Sequence, residues 1–305
     1  MLKEKGSWRS KAWFRILSIV LLLFLSGIVV WAVIQLAKEI YRSNYTLEVV
    51  EYNVQDERFT DDIRMVVLAD LHNREFGEEN ENLLTLVQEQ NPDLILCVGD
   101  FVIENRKKFD TADKIMQDLV DIAPVYFSMG NHEVHYQMEH PILFEELFES
   151  YGVNVLEYEY EDIEIKGQKF RIGGIYGYCV SDDDPDNPRY DPKHSKFLKE
   201  YMDTDQFKLL LAHLPLTWLE FDGLETWDID LTLCGHVHGG LIRIDGIGGV
   251  YAPVQGFFPG EVSGEYTSSD GNRRMLLTRG LGSSSFIPRI NNVPEIMVVN
   301  LGGRD

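Results

Sequence analysis

Five short apolar runs limit how this chain can fold: Met65–Ala69, Leu94–Val98, Val125–Met129, Leu209–Ala212 and Leu231–Cys234. Each has the length of a buried strand and is too short for a core helix. Amphipathic stretches separate them. Leu83, Leu86, Val87 and Gln90 keep helical spacing until Asn91-Pro92, and Ile115, Met116, Leu119 and Val120 keep it until Pro124. A third helix carries Leu143, Phe144, Leu147, Phe148 and Tyr151, with Gly152 placed for a left-handed C-terminal cap, and a fourth covers 191–202. Such alternation predicts an α/β protein, a sheet with crossover helices. Alternating residues on either side of Lys166-Gly167, within 155–176, predict a hairpin.

The polar residues at the end of each run are more specific than the runs themselves. The first run ends in Asp70-Leu71-His72, the second in Gly99-Asp100, the third in Gly130-Asn131-His132, the fourth in His213 and the fifth in Gly235-His236-Val237-His238. Five of the eight histidines thus fall at strand ends. In α/β sheets the loops beyond the carboxyl ends of strands are where ligands bind. Carboxylates, imidazoles and an amide oxygen together suit borderline divalent metals such as Mn, Fe or Zn. These groups exceed what one tetrahedral ion needs and suit two neighbouring ions with a shared carboxylate. The glycines before Asp100, Asn131 and His236 allow close backbone approach.

The N-terminal segment has a different character. Ile16–Ala37 contains no charged residue and is long enough to span a bilayer as a helix. Lys3, Lys5, Arg9, Lys11 and Arg15 precede it against Glu4 alone, which predicts a cytoplasmic N-terminus with the rest of the chain outside, at the cell membrane. Small residues in an A-x-A-like pattern are missing from its end, so an uncleaved single-pass anchor is expected over a cleaved signal. Residues 1–45 then form basic tail, anchor and linker, and 46–305 the folded domain.

The net charge of −22 argues against a nucleic-acid-binding surface. It does not exclude a small anionic substrate, because bound dications invert the local field. Three cysteines are too few for a disulfide framework, and Cys97 and Cys234 sit in apolar runs as small core residues. Arg106, Lys107 and Lys108 read as a solvated run, "SDDDPDN" at 181–187 as an acidic turn, and His135, His140 and His194 as surface residues. Arg279, in a Gly-rich loop, is a phosphate-binding candidate. The apolar Phe257-Phe258-Pro259 fits either a membrane-facing loop or core.

The ordered set D-x-H, G-D, G-N-H, H and G-H-x-H, over residues 63 to about 240, resembles the calcineurin-like metallophosphoesterases. The later "GGLIRI", "YAPVQGFFPG" and "RGLGSSS" are similar to membrane-anchored bacterial members, YkuE-like proteins and relatives that cleave the pyrophosphate of UDP-diacylglucosamine. The resemblance implies a four-layer α/β/β/α sandwich and a hydrolase of phosphate esters or pyrophosphates, lipid-linked substrates included, that attacks with a hydroxide held between two divalent ions. It also implies Asp70, His72 and His238 on one ion, Asn131, His213 and His236 on the other, Asp100 bridging, and His132 as the acid near the leaving group. Phe101-Val102-Ile103 departs from the pattern, since many relatives carry a further acidic residue there. A membrane-tethered metal-binding sensor or scaffold without turnover is the competing expectation.

Overall fold

The computed structural model describes residues 4–106, 108–177, 191–219, 223–252 and 255–303. The chain forms two compact units, 1–42 and 43–305. Helix α1 (Glu4–Tyr45) makes up the first and supplies the opening residues of the second. Its Ala12–Tyr45 stretch is long and apolar enough to cross a bilayer, and the most apolar window of that stretch is not buried by protein.

In the second unit, β1 (Glu48–Gln55), β2 (Ile63–Leu68), β3 (Leu94–Val98), β4 (Val125–Ser128) and β5 (Asn154–Val155) share a mixed sheet with β16 (Glu295–Gly302), ordered β1-β16-β2-β3-β4-β5. A second mixed sheet joins β6 (Glu159–Ile165), β7 (Gln168–Ile175), β8 (Phe207–Ala212), β9 (Leu231–Cys234), β14 (Gly264–Thr267) and β15 (Arg274–Leu277), ordered β14-β15-β9-β8-β7-β6. The short pairs β10 (Arg243–Ile244) with β11 (Gly248–Gly249) and β12 (Tyr251–Ala252) with β13 (Gly256–Phe257) decorate the loops between β9 and β14.

The period of two within each strand explains the layering. Met65, Val67, Leu94, Leu96, Leu209, Leu211, Leu231 and Leu233 pack together between the two sheets. The intervening Val66, Leu68, Ile95 and Cys97 face the other way, onto α2 (Glu81–Glu89), α3 (Asp110–Leu119) and α5 (Phe144–Glu149). Leu210, Ala212 and Cys234 face a third cluster with Phe197, Leu198 and Tyr201 of α6 (Pro192–Met202). Both sheets are therefore apolar on both faces, and the helices close the outer ones. This is the α/β/β/α sandwich expected.

Local signals act as expected. Lys166 and Gly167 both take positive φ (50° and 76°) in the two-residue turn of the antiparallel β6–β7 hairpin. Gly152 ends α5 at φ 93°. Asp191 caps α6, its carboxylate accepting the Lys193 N–H at 2.7 Å. Cys97 and Cys234 are buried free thiols. Cys179, Lys107 and the 181–187 acidic stretch lie outside the described residues.

Candidate metal centre

The parallel strands β2, β3 and β4 of one sheet and β8 and β9 of the other end on the same cluster of polar side chains. Asp70 and His72 follow β2, Asp100 follows β3, His213 follows β8, and His236 and His238 follow β9. Asn131 and His132 open a helix, α4 (Asn131–Glu139), that directly follows β4. Five of these residues, Asp70, His72, Asp100, His236 and His238, have positive φ between 47° and 77°. Left-handed backbone costs a residue bearing a Cβ about 1–2 kcal/mol, and Asp and His are among the types that tolerate it best. The sharp turns it produces aim successive side chains back into one space. Gly130 is required by close approach, since a Cβ there would collide with the Asp100 carboxylate.

Candidate ligand atoms of Asp70, His72 and His238 lie within 4.8 Å of one another, as do those of Asp100, His213 and His236. A third such group, His72, Asp100 and His132, links the two. Asp70, His72, Asp100, His213 and His238 are buried. His72 Nε2, Asn131 Oδ1, His236 Nε2 and His238 Nδ1 are buried with no hydrogen-bond partner. Leaving one such atom unpaired in a protein interior costs about 1–3 kcal/mol, so three unpaired ring nitrogens, of His72, His236 and His238, converging with His213 on a pair of carboxylates fit cation ligands and not a self-satisfied core.

The surrounding bonds set the rings for that task. The ring N–H at Nδ1 of His72 reaches the Val102 carbonyl (3.1 Å) and that of His213 the Val98 carbonyl (2.8 Å), which turns both Nε2 atoms toward the cluster, that of His72 as a lone pair. Burial pushes His72 and His236 down to about 3 and holds His238 well below its ordinary value, so all three are neutral. Burial and the nearby Asp100 charge push Asp70 up, to about 7, against the pull of His213. Burial alone would also raise Asp100, but His213, lifted to about 10 by the Asp100 charge against its own burial, keeps its proton with Nε2 3.0 Å from Asp100 Oδ2 and holds that carboxyl well below the usual carboxylate range.

His132 differs from the others. Its Nδ1 accepts the Glu104 backbone N–H at 3.2 Å, so the neutral ring keeps its proton on Nε2, which stands 3.9 Å from Asp100 Oδ2. It thus presents a donor toward the cluster where its neighbours present lone pairs.

Glu133 and Arg289 are functional neighbours that the sequence pattern did not reveal. The Glu133 carboxylate is buried and accepts the backbone N–H groups of Asp100, Phe101, Val102 and Gly130 at 2.7–3.1 Å. Its position two residues after Asn131 was the available signal. Arg289 is buried and donates to the carbonyls of Asn292, Gly282 and Arg279 at 2.8–2.9 Å. Asn292 in turn donates to the His238 carbonyl at 2.8 Å.

Arg279 is not free to bind phosphate, because its guanidinium is engaged by Glu295 and Glu48. Phe257 and Phe258 are not core, being 75% and 65% exposed. His135 is a surface residue as expected, its ring on Glu104 Oε2 at 2.8 Å. His194, expected at the surface, is instead partly covered and stacked on Tyr158 at 3.9 Å.

The calcineurin-like phosphoesterase family model matches residues 63–240, the span that holds every residue of the cluster. Phosphodiesterase YaeI of Escherichia coli is 30% identical over 241 residues, 78% of this chain and 82% of that protein. The uncharacterized metallophosphoesterase YkuE of Bacillus subtilis is 23% identical over 270 residues, 86% of this chain and 87% of its own. Among solved structures, a phosphopantetheinyl hydrolase from Mycobacterium tuberculosis is similar at a TM-score of 0.44 and 12% identity, over 72% of this chain and 90% of that one. Strand-end ligands, orphaned imidazoles and sequence kinship converge, and the chain belongs to the calcineurin-like phosphoesterases as a metal-dependent phosphoric ester hydrolase.

Proposed function

We propose that the chain hydrolyses a phosphodiester or pyrophosphate bond at a membrane surface with two divalent ions. Asp70, His72 and His238 hold one, Asn131, His213 and His236 the other, and Asp100 serves both. The observation that carries this reading is the set of three buried, unpartnered imidazole nitrogens, of His72, His236 and His238, converging with His213 on Asp70 and Asp100. Bound dications supply an acidified water and neutralise charge on the phosphoryl oxygens. The chain's own part is to fix both ions at strand ends and to present the His132 Nε2–H to the departing oxygen. YaeI's name supports a diester over a monoester.

Anchoring by Ile16–Ala37, with the N-terminus cytoplasmic and the catalytic unit outside, rests on the charge asymmetry and on the apolar surface of α1. The exposed Phe257 and Phe258 favour a lipid-linked substrate, as in the UDP-diacylglucosamine pyrophosphatases.

The test is hydrolysis by the full chain in detergent, loaded with Mn²⁺, of p-nitrophenyl phosphate, its bis ester and a UDP-linked lipid, with Asp100→Ala alongside. Metal-dependent turnover that is lost in the variant is expected. Two bound ions without turnover on any ester would replace the enzyme with a sensor or scaffold.

A further inference from the structure

A cleft of about 580 Å³ opens beside the metal centre, with His72 on its wall. Arg74 and Arg106 also line it. In a chain of net charge −22, several arginines are tied to carboxylates: Arg58 to Asp56 and Asp230, Arg64 to Glu51, Arg171 to Asp162, Arg279 to Glu48 and Glu295. Among the described residues, Arg74 and Arg106 have no ion-pair partner, although both face the same space. Glu75, the one acidic residue on that wall, bridges neither of them. Keeping two guanidiniums unneutralised on the wall of one cleft raises the local positive potential, and an arriving anion relieves it.

The rest of the wall is chemically consistent. The Arg74 guanidinium lies over the Tyr45 ring, 5.3 Å from its centroid, an arrangement that orders the side chain without cancelling its charge. Ser283 Oγ accepts the Ser285 N–H at 3.0 Å and Ser285 Oγ accepts the Ile287 N–H at 3.1 Å. Both hydroxyl oxygens are thereby fixed as acceptors, and their protons remain to be donated. Phe286, next to this serine run, is 97% exposed.

We propose that this cleft is a subsite for a second phosphate group, the far phosphate of a diphosphate ester whose near phosphate sits on the metal centre, held by Arg74, Arg106 and the hydroxyls of Ser283 and Ser285. The inference deepens the phosphoesterase reading and narrows its substrate class to esters with two adjacent anionic groups. Such a diphosphate can be soluble or lipid-linked. Phe286 at the rim is where an acyl chain would lie.

The experiment compares the full Mn²⁺-loaded chain with Arg74→Ala/Arg106→Ala on three substrates: bis(p-nitrophenyl) phosphate with one anionic group, soluble UDP-glucose, and a UDP-linked diacyl lipid in nanodiscs. Loss of two charge-assisted contacts is expected to lower kcat/KM for diphosphate relative to bis ester by about 10- to 100-fold, mainly through KM. Bound metal is unchanged and Arg74→Lys/Arg106→Lys recovers part of the ratio. A fall confined to the lipid arm assigns the site to lipid-linked substrates, and a fall in both diphosphate arms to the diphosphate itself. An unchanged ratio, or a wild-type chain that cleaves the bis ester and no diphosphate, overturns the subsite. Should the wild type cleave nothing, calorimetric titration with UDP-glucose decides. Binding weakened by the double variant keeps the subsite while the hydrolase reading falls, and no binding removes both.

Discussion

Glu133 Oε2 takes the backbone N–H of Asp100 at 2.8 Å, so a helix residue that touches no candidate ion fixes the backbone of the proposed bridging ligand. The same carboxylate holds Phe101, Val102 and Gly130, which explains how Asp100 keeps a φ of 58°. Glu133→Gln turns an amide N–H₂ toward backbone donors. It is expected to weaken metal binding by about 10- to 100-fold and to lower stability by about 2 kcal/mol. Metal titration and thermal unfolding measure both, and wild-type affinity in this variant would dismiss the positioning role.

His132 offers its Nε2–H and His72 a lone pair, two neighbouring rings with opposite roles. His132→Ala is therefore expected to retain metal while losing roughly 10²- to 10⁴-fold in kcat. Elemental analysis alongside kinetics distinguishes this from ligation. Loss of an ion from the variant would make His132 a ligand, a placement that its grouping with His72 and Asp100 allows.

Away from the centre, burial pushes Glu157 up to about 8, only partly opposed by Lys193. The folded state thus holds a proton that the unfolded chain has released near pH 4.5, and stability falls as pH rises between those values. Glu157→Gln, which cannot ionise, is expected to gain on the order of 2–4 kcal/mol over wild type at about pH 8.5 and almost nothing at about pH 4. Denaturant titrations at the two pH values test the sign, and an equal effect at both would exclude the linkage.

Asn44 and Arg289 bond reciprocally through side-chain amide and backbone, at 2.9 and 3.3 Å, and Ser43 Oγ accepts the Asn292 N–H at 3.1 Å. Arg289→Met leaves three buried carbonyls without their donor and is expected to cost about 3–5 kcal/mol. Asn44→Ala is expected to cost about 1–2 kcal/mol by the same reasoning. Thermal unfolding of both variants would show the ranking, and a reversed order would mean that the carbonyl cage around Arg289 is not what holds these loops.

The strands, the Lys166-Gly167 turn and the helix stops were legible in the sequence because hydropathy period and turn chemistry are local. The candidate ligands were legible because each sits directly after an apolar run. Glu133 was hidden because its partners are main-chain groups, which leave no trace in side-chain pattern. Arg289 and Arg279 share a loop and look alike in sequence. One is caged by carbonyls and the other by Glu48 and Glu295, partners that only the fold brings near.

The two sheets contribute to the centre in complementary halves. The first brings Asp70, His72, Asp100 and Asn131, the second His213, His236 and His238, so each proposed ion draws ligands from both layers. Ions so placed work as a clasp at one end of a book whose spine is the apolar interior around Leu96 and Leu209. Chelation should let the pages part at the clasp alone. Amide hydrogens at 69–73 and 234–238 should then exchange early while those of Leu96 and Leu209 stay protected. Metal supply would thereby set how long the folded protein resists a protease, separately from whether it turns over substrate.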